Sequence, residues 1–228
     1  MQRWNLNDIE QLGEYYKDYA QFMFGTMIEI ENALPKDTAT INVKFIKKII
    51  NEVCKGYVTE IVWRDNKYIP PVEEHLKVTL ITCFYWAINC TALVVFEENV
   101  TKEVLEWMST FPPIVKDSCI VSRLMDDIVA HEFETERNNV ATAVTCHMKE
   151  YGTTKEEASE VLWDVVENAW KDMNKEYLNR TDIPASLLVR VINLARMMER
   201  MYKEIDGYTD SAILKNRISL LLEKPISF

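Results

Sequence analysis

Apolar residues return along this chain at intervals of three and four, the spacing that lines one face of an α-helix. Phe45, Ile49, Val53 and Tyr57 share such a face, on a helix that opens at Thr40 or Asn42 and reaches Trp63. An earlier helix, capped near Asn7 and Asp8, runs through Tyr16, Tyr19 and Met23 to about Asn32, and Pro35 and Asp37 break it. Asp65 to Pro71 reads as a loop, because two successive prolines block helix continuation. The next helix, from about Val72, is nearly apolar from Val78 to Val95, which predicts a central place in the fold. A short segment from Thr101 through Trp107 and Met108 stops before Pro112 and Pro113. The following helix carries a broad band of Ile120, Val121, Leu124, Met125, Ile128 and Val129, and is expected to continue, bent, through Val140 to Gly152.

Thr154 and Glu157 spell a capping box for a helix bearing Ala158, Leu162, Val165 and Trp170. Asp182-Ile183-Pro184 opens another that runs to about Lys203, and a last one spans roughly Ser211 to Leu222. With no internal repeat and no linker composition, residues 1–228 read as one all-α domain or a large piece of one.

Composition supports that reading. Five glycines and seven prolines in 228 residues are too few for the many turns of a Rossmann sheet or a β-barrel. A formal charge of −10 works against binding a nucleic-acid backbone or an anionic membrane. Cys54, Cys83, Cys90, Cys119 and Cys146 are odd in number and widely spaced, as reduced core thiols are. His75, His131 and His147 make no zinc motif. The first residues read as neither a signal nor a transit peptide. The longest apolar run, Leu80 to Phe96, contains Thr82, Asn89 and Thr91 and is expected to be core rather than a membrane span. The expected location is cytoplasmic.

The candidate chemistry sits between Arg123 and Glu134. On a helix, Asp126, Ala130 and Glu134 lie four apart on one slowly drifting face, with Arg123 a turn earlier. Two carboxylates two turns apart can hold a hard divalent cation, and a guanidinium can hold the anion that the cation attracts. The competing reading is a solvated surface ion lattice of Glu132, Glu134 and Glu136 with Arg137, and for Arg123 an ion pair with Asp127 or Glu134. The apolar band beside these carboxylates favours function, since a carboxylate near a buried surface needs compensation.

Several segments carry a resemblance in order along the whole chain. They are Gln2-Arg3-Trp4, Tyr68 through Glu74, Arg123 through Glu134, Glu150-Tyr151-Gly152, Ala169 through Asn174, Asn193 through Arg196, and Asp206-Gly207-Tyr208-Thr209. Together they resemble the C-terminal metal-binding catalytic domain of plant class I terpene synthases, most closely the sesquiterpene synthases. The resemblance implies the helical class I terpenoid synthase fold around an apolar cavity. It also implies three Mg2+ ions, with Mn2+ as a possible substitute, that ionise a prenyl diphosphate so that the freed cation cyclises.

In that pattern Asp126 and Glu134 match metal ligands, Asp127 a supporting carboxylate, and Ala130 stands where a hydroxyl ligand is expected. Arg123 matches the diphosphate arginine. Tyr202, Asp206 and Tyr208 match an aromatic and acidic cluster that steers or deprotonates carbocations; their plainer reading is a core tyrosine and a turn. Thr82, Cys83, Phe84 and Tyr85 fall where the family bends its central cavity helix, or else pack plainly in the core.

The family's other metal motif, Asp-Asp-x-x-Asp, precedes its Gln-Arg-Trp segment, and these 228 residues contain no such sequence. The expected protein is therefore an incomplete terpene synthase fold, in which the isolated residues do not cyclise substrate efficiently. The resemblance implies farnesyl diphosphate as substrate and a monomer when complete. Geranyl diphosphate, and an inactive helical remnant, are the alternatives.

Overall fold

The computed structural model describes residues 13–36, 39–96, 101–136, 141–203, 206, 207, 209 and 212–222. Among them the chain forms helices only: α1 (Glu14–Ala33), α2 (Ala39–Asp65), α3 (Val72–Thr82), α4 (Tyr85–Phe96), α5 (Lys102–Ser109), α6 (Pro113–Val129), α7 (His131–Glu136), α8 (Ala143–Tyr151), α9 (Lys155–Asn179), α10 (Ala185–Tyr202) and α11 (Ala212–Leu222). Asn7, Asp8, Asp37, Val140 and Ser211, which entered the expected boundaries, lie outside the described residues, as does Trp4.

Local chemistry sets many of the ends. Thr101, Thr142 and Thr154 each accept a backbone N–H at the start of α5, α8 and α9, and Glu157 completes the capping box on α9. Gly152 closes α8 at φ 67, a left-handed conformation that a side chain would strain.

Helix α6 is the axis of the fold, packed along α9 and α10 and touched by α3, α4 and α8. Its Ile114, Val115, Cys119 and Leu124 are fully buried, against Leu162 and Met173 of α9 and Leu188 of α10. Such burial is worth roughly 1.5–3 kcal/mol for each large aliphatic side chain.

Two expected continuous helices are broken. The apolar helix from Val72 divides into α3 and α4, because Phe84 takes φ 70 and interrupts the ladder of i to i−4 bonds. By length and composition alone, Val72–Val95 is long and apolar enough to cross a membrane, but 56% of its 18-residue apolar stretch is buried inside the protein, as in the core helix the sequence predicts. The helix expected from Pro113 to Gly152 likewise ends at Ala130, with φ −85 and ψ −3. It restarts briefly as α7 and again as α8. Beyond the break, the Asp127 carboxylate accepts the Ala143 N–H at 2.6 Å, which holds the N-terminus of α8 against α6.

Where α6 meets α9, Asp117 faces Asp172 and Glu176. Burial, and then those two carboxylates, push its carboxyl up to about 7, against the opposing pull of Lys116. An acid whose folded pKa is raised binds its proton more tightly when folded, so stability falls as pH rises from the free value near 4 through 7. Asp117→Asn should therefore raise the melting temperature at pH 8 and leave it nearly unchanged at pH 4. An equal effect at both pH values in a thermal melt would remove this account.

Candidate functional site

The Arg123–Glu134 segment straddles the α6–α7 break. Asp126 and Ala130 remain linked through the Ala130 N–H to Asp126 carbonyl bond of 2.8 Å, and Glu134 follows through its N–H to the Ala130 carbonyl at 2.9 Å. The three positions line one cavity of 250 Å³ with Arg123 and Asp127. The break therefore does not scatter the predicted row.

Arg123 is mostly buried and already held. Its Nη1 donates to Asp126 Oδ2 at 3.3 Å and Asp127 Oδ1 at 3.2 Å, and its Nε to the Thr79 carbonyl at 3.4 Å. Burial opposes its charge, but Asp127 first, and then Cys83, Asp126 and Glu60, hold its pKa above the ordinary value. The ion pair with Asp127 that the sequence offered as a competing role is thus present, inside the cavity wall rather than on an open surface.

Asp127 is buried more deeply than Asp126. Besides Arg123 and the Ala143 N–H, it has His75 Nε2 at 3.9 Å. His75 in turn bonds the Ala141 carbonyl at 2.8 Å and stacks on Trp63, with ring centroids 6.5 Å apart. Asp126 faces outward into the cavity. Burial pushes its carboxyl up to about 6, with Asp127 and Asp206 adding to the rise and Arg123 and Tyr202 opposing it.

Tyr202, at the end of α10, and Asp206 come to Asp126, so residues some 80 positions apart in the chain meet at one wall. Burial, then the Asp126 and Asp206 carboxylates, hold the Tyr202 phenol well above its ordinary pKa. The turn reading of Asp206-Gly207 holds as well. Asp206 accepts the Thr209 N–H at 2.9 Å, and Gly207 donates to the Met201 carbonyl at 2.8 Å, an approach that leaves a Cβ only 2.9 Å from that oxygen. Tyr208 lies outside the described residues.

The four predicted cavity positions diverge. Thr82 hydrogen-bonds Glu60 through its hydroxyl and accepts from the Tyr57 hydroxyl at 2.9 Å through its carbonyl. Cys83 donates its thiol to the Leu80 carbonyl at 3.2 Å, and Phe84 is 40% exposed. Tyr85 turns the other way, into the core, and donates to the Leu194 carbonyl at 3.2 Å.

Sequence reasoning missed the α2 and α3 side of the cavity: Glu60, Arg64, His75 and Thr79. Glu60 and Arg64 are four apart near the C-terminus of α2, a spacing that places both on one face and was the available signal. Among the described residues, no group of three or more His, Cys, Asp or Glu side chains is placed to enclose a metal ion. The donors that are present, carboxylate oxygens, suit a hard cation such as Mg2+.

Solved structures match this architecture closely. Isoprene synthase from grey poplar leaves (Populus x canescens) matches with a TM-score of 0.90 at 24% identity, over 99% of this chain and 42% of that one. Limonene synthase in complex with 2-fluorolinalyl diphosphate gives a TM-score of 0.93 at 22% identity, over 99% and 42%. These define the class: an all-α protein with the class I terpenoid synthase fold.

Sequence then places it more narrowly. Residues 1–172 match the terpene synthase family, metal binding domain, and the chain belongs to that family. It is 36% identical to sesquiterpene synthase 2 of Toona sinensis over 99% of this chain and 41% of that protein. It is 37% identical to (-)-germacrene D synthase of Vitis vinifera, again over 99% and 41%. The chain thus spans about two fifths of the length of these relatives.

Proposed function

We propose that this chain forms one metal-binding wall of a magnesium-dependent sesquiterpene synthase that acts on farnesyl diphosphate. The observation that carries the reading is the convergence of Arg123, Asp126, Asp127, Ala130 and Glu134 on one cavity, with Tyr202 and Asp206 beside Asp126. The choice of a fifteen-carbon substrate draws on relatives such as the sesquiterpene synthase of Toona sinensis. Geranyl diphosphate is the alternative substrate.

Asp126 and Glu134 would hold Mg2+, which neutralises charge on a leaving diphosphate when bound. A grey poplar isoprene synthase is described in complex with three Mg2+ ions and dimethylallyl-S-thiolodiphosphate. Arg123 would face the diphosphate oxygens with its planar fork, held in place by Asp127 and the Thr79 carbonyl. Its charge helps most as the diphosphate separates, which is when stabilisation speeds the reaction. Asp127 would keep Arg123 oriented rather than touch substrate. Tyr202 and Asp206, beside Asp126, would offer a cationic intermediate an aromatic face and a carboxylate.

Ala130 contributes only a methyl group to this wall, and it is 5% exposed. Ala130→Ser would add an oxygen beside Asp126 and Glu134. Calorimetric titration of pyrophosphate at stepped magnesium concentrations should show magnesium-dependent binding, with a severalfold lower half-saturating magnesium in the serine variant. An unchanged value would mean that water or another side chain already fills that position. Pyrophosphate binding that ignores magnesium would remove the metal reading. The 228 residues by themselves are expected to give no cyclic sesquiterpene by gas chromatography.

A further inference from the structure

The cavity has an electrostatic deficit that Arg123 alone does not meet. Glu60, Asp126, Asp127 and Glu134 line it with four carboxylates, and Arg123 already donates to two of them. A diphosphate entering here meets a cation that is largely committed. Among the described residues that line the cavity, Arg64 is the other arginine.

Arg64 is differently held. Its Nε and Nη2 both reach Asp65 Oδ1 at 3.0 Å, a pair between adjacent residues whose side chains are 48% and 63% exposed. Exposed pairs of this kind contribute little, so the guanidinium can leave Asp65 readily. Arg64 also lines a second cavity of 590 Å³, which shares Glu134, Ala141 and Thr142 with the first. It stands at the boundary between the two, with open space for a change of rotamer.

Its backbone is fixed by contrast. The preceding Trp63 is buried and stacked on His75, beside Asp127. The turn after α2 is tied by the Tyr68 N–H to the Trp63 carbonyl at 2.8 Å and by the Asn66 N–H to the Val62 carbonyl at 3.1 Å. A rigid anchor followed by a loosely held fork is suited to closing on an anion.

We propose that Arg64 is a second diphosphate ligand, which releases Asp65 and binds phosphate oxygens from the α2 side of the cavity while Arg123 binds from α6. The inference rests on the reading of this cavity as a diphosphate site. Guanidinium suits the role better than an ammonium group, because its paired N–H donors match two phosphate oxygens.

The test is calorimetric titration of pyrophosphate in magnesium with the full 228-residue chain and its Arg64→Ala, Arg64→Lys, Asp65→Ala and Arg123→Ala variants, each also melted without ligand. Arg64→Ala should weaken pyrophosphate about tenfold or more, with a melting temperature within about 2 °C of the parent. Arg64→Lys should recover part of the affinity, and Asp65→Ala should bind at least as tightly as the parent. Affinity within about twofold of the parent for Arg64→Ala, with Arg123→Ala strongly weakened, would overturn the role of Arg64 and leave the site reading standing. If Arg123→Ala also bound normally, or the parent chain bound no pyrophosphate, the site reading itself would fall, and this inference with it.

Discussion

Asp127→Ala should cost about 3–5 kcal/mol of folding stability, the range for removing one partner of a buried charge pair. Its carboxylate is 5% exposed and accepts from Arg123 Nη1 at 3.2 Å and from the Ala143 N–H at 2.6 Å. Removing it leaves a buried guanidinium with one fewer counter-charge and strips an acceptor from the first turn of α8. The loss should therefore appear at the α6–α8 junction as well as globally. Asp127→Asn should lie between, since its amide oxygen can still accept the Ala143 N–H while the negative charge is gone. Urea denaturation of the three proteins at constant pH measures this directly. A loss below about 1 kcal/mol for the alanine variant would show that the junction does not depend on this carboxylate.

Asp126→Ala should behave in the opposite way. Asp126 lies one residue earlier and bonds the same guanidinium at 3.3 Å, yet its side chain is about a third exposed and faces the cavity. Burial makes its ionised form costly, as its pKa of about 6 records. That cost is absent at low pH, develops as pH rises from about 4 to 6, and is present at neutral pH, so removal of the carboxylate there should not destabilise the fold. Its loss should nevertheless abolish magnesium-dependent pyrophosphate binding, with affinity falling a hundredfold or more on the order of two lost charge-assisted contacts. Calorimetry and thermal melting on the same preparation separate the two effects. A large drop in melting temperature together with retained magnesium dependence would reverse the roles of Asp126 and Asp127.

These neighbours show where sequence reading stops. Helical periodicity places Asp126 and Asp127 on adjacent spokes of the wheel, about 100° apart, and this predicts that they face different surroundings. It does not reveal which neighbour lies opposite each. The bond from Ala143 N–H to Asp127 depends on α8 folding back across α6, and the Asp126–Tyr202–Asp206 cluster depends on the packing of α10. Arg64 is further from view: it lies 59 positions before Arg123, between a helix read to Trp63 and the loop read from Asp65.

The amino-acid sequence by itself determined the all-α class, most helix ends, the family and the Arg123–Glu134 row. Each rests on local rules: apolar spacing for the helices, Thr101 and Thr154 as caps, proline pairs as stops, and fixed spacing within a motif. Only the tertiary structure decided that two helices expected to be continuous break, at Phe84 and at Ala130. It also turned Tyr85 into the core while its neighbour Phe84 stayed partly exposed, and brought Arg64 to the cavity from α2. The physical reason is one of range. A helix closes its bonds within four residues and can be read from a short window, whereas a buried carboxylate or a bent helix is settled by groups tens of residues away.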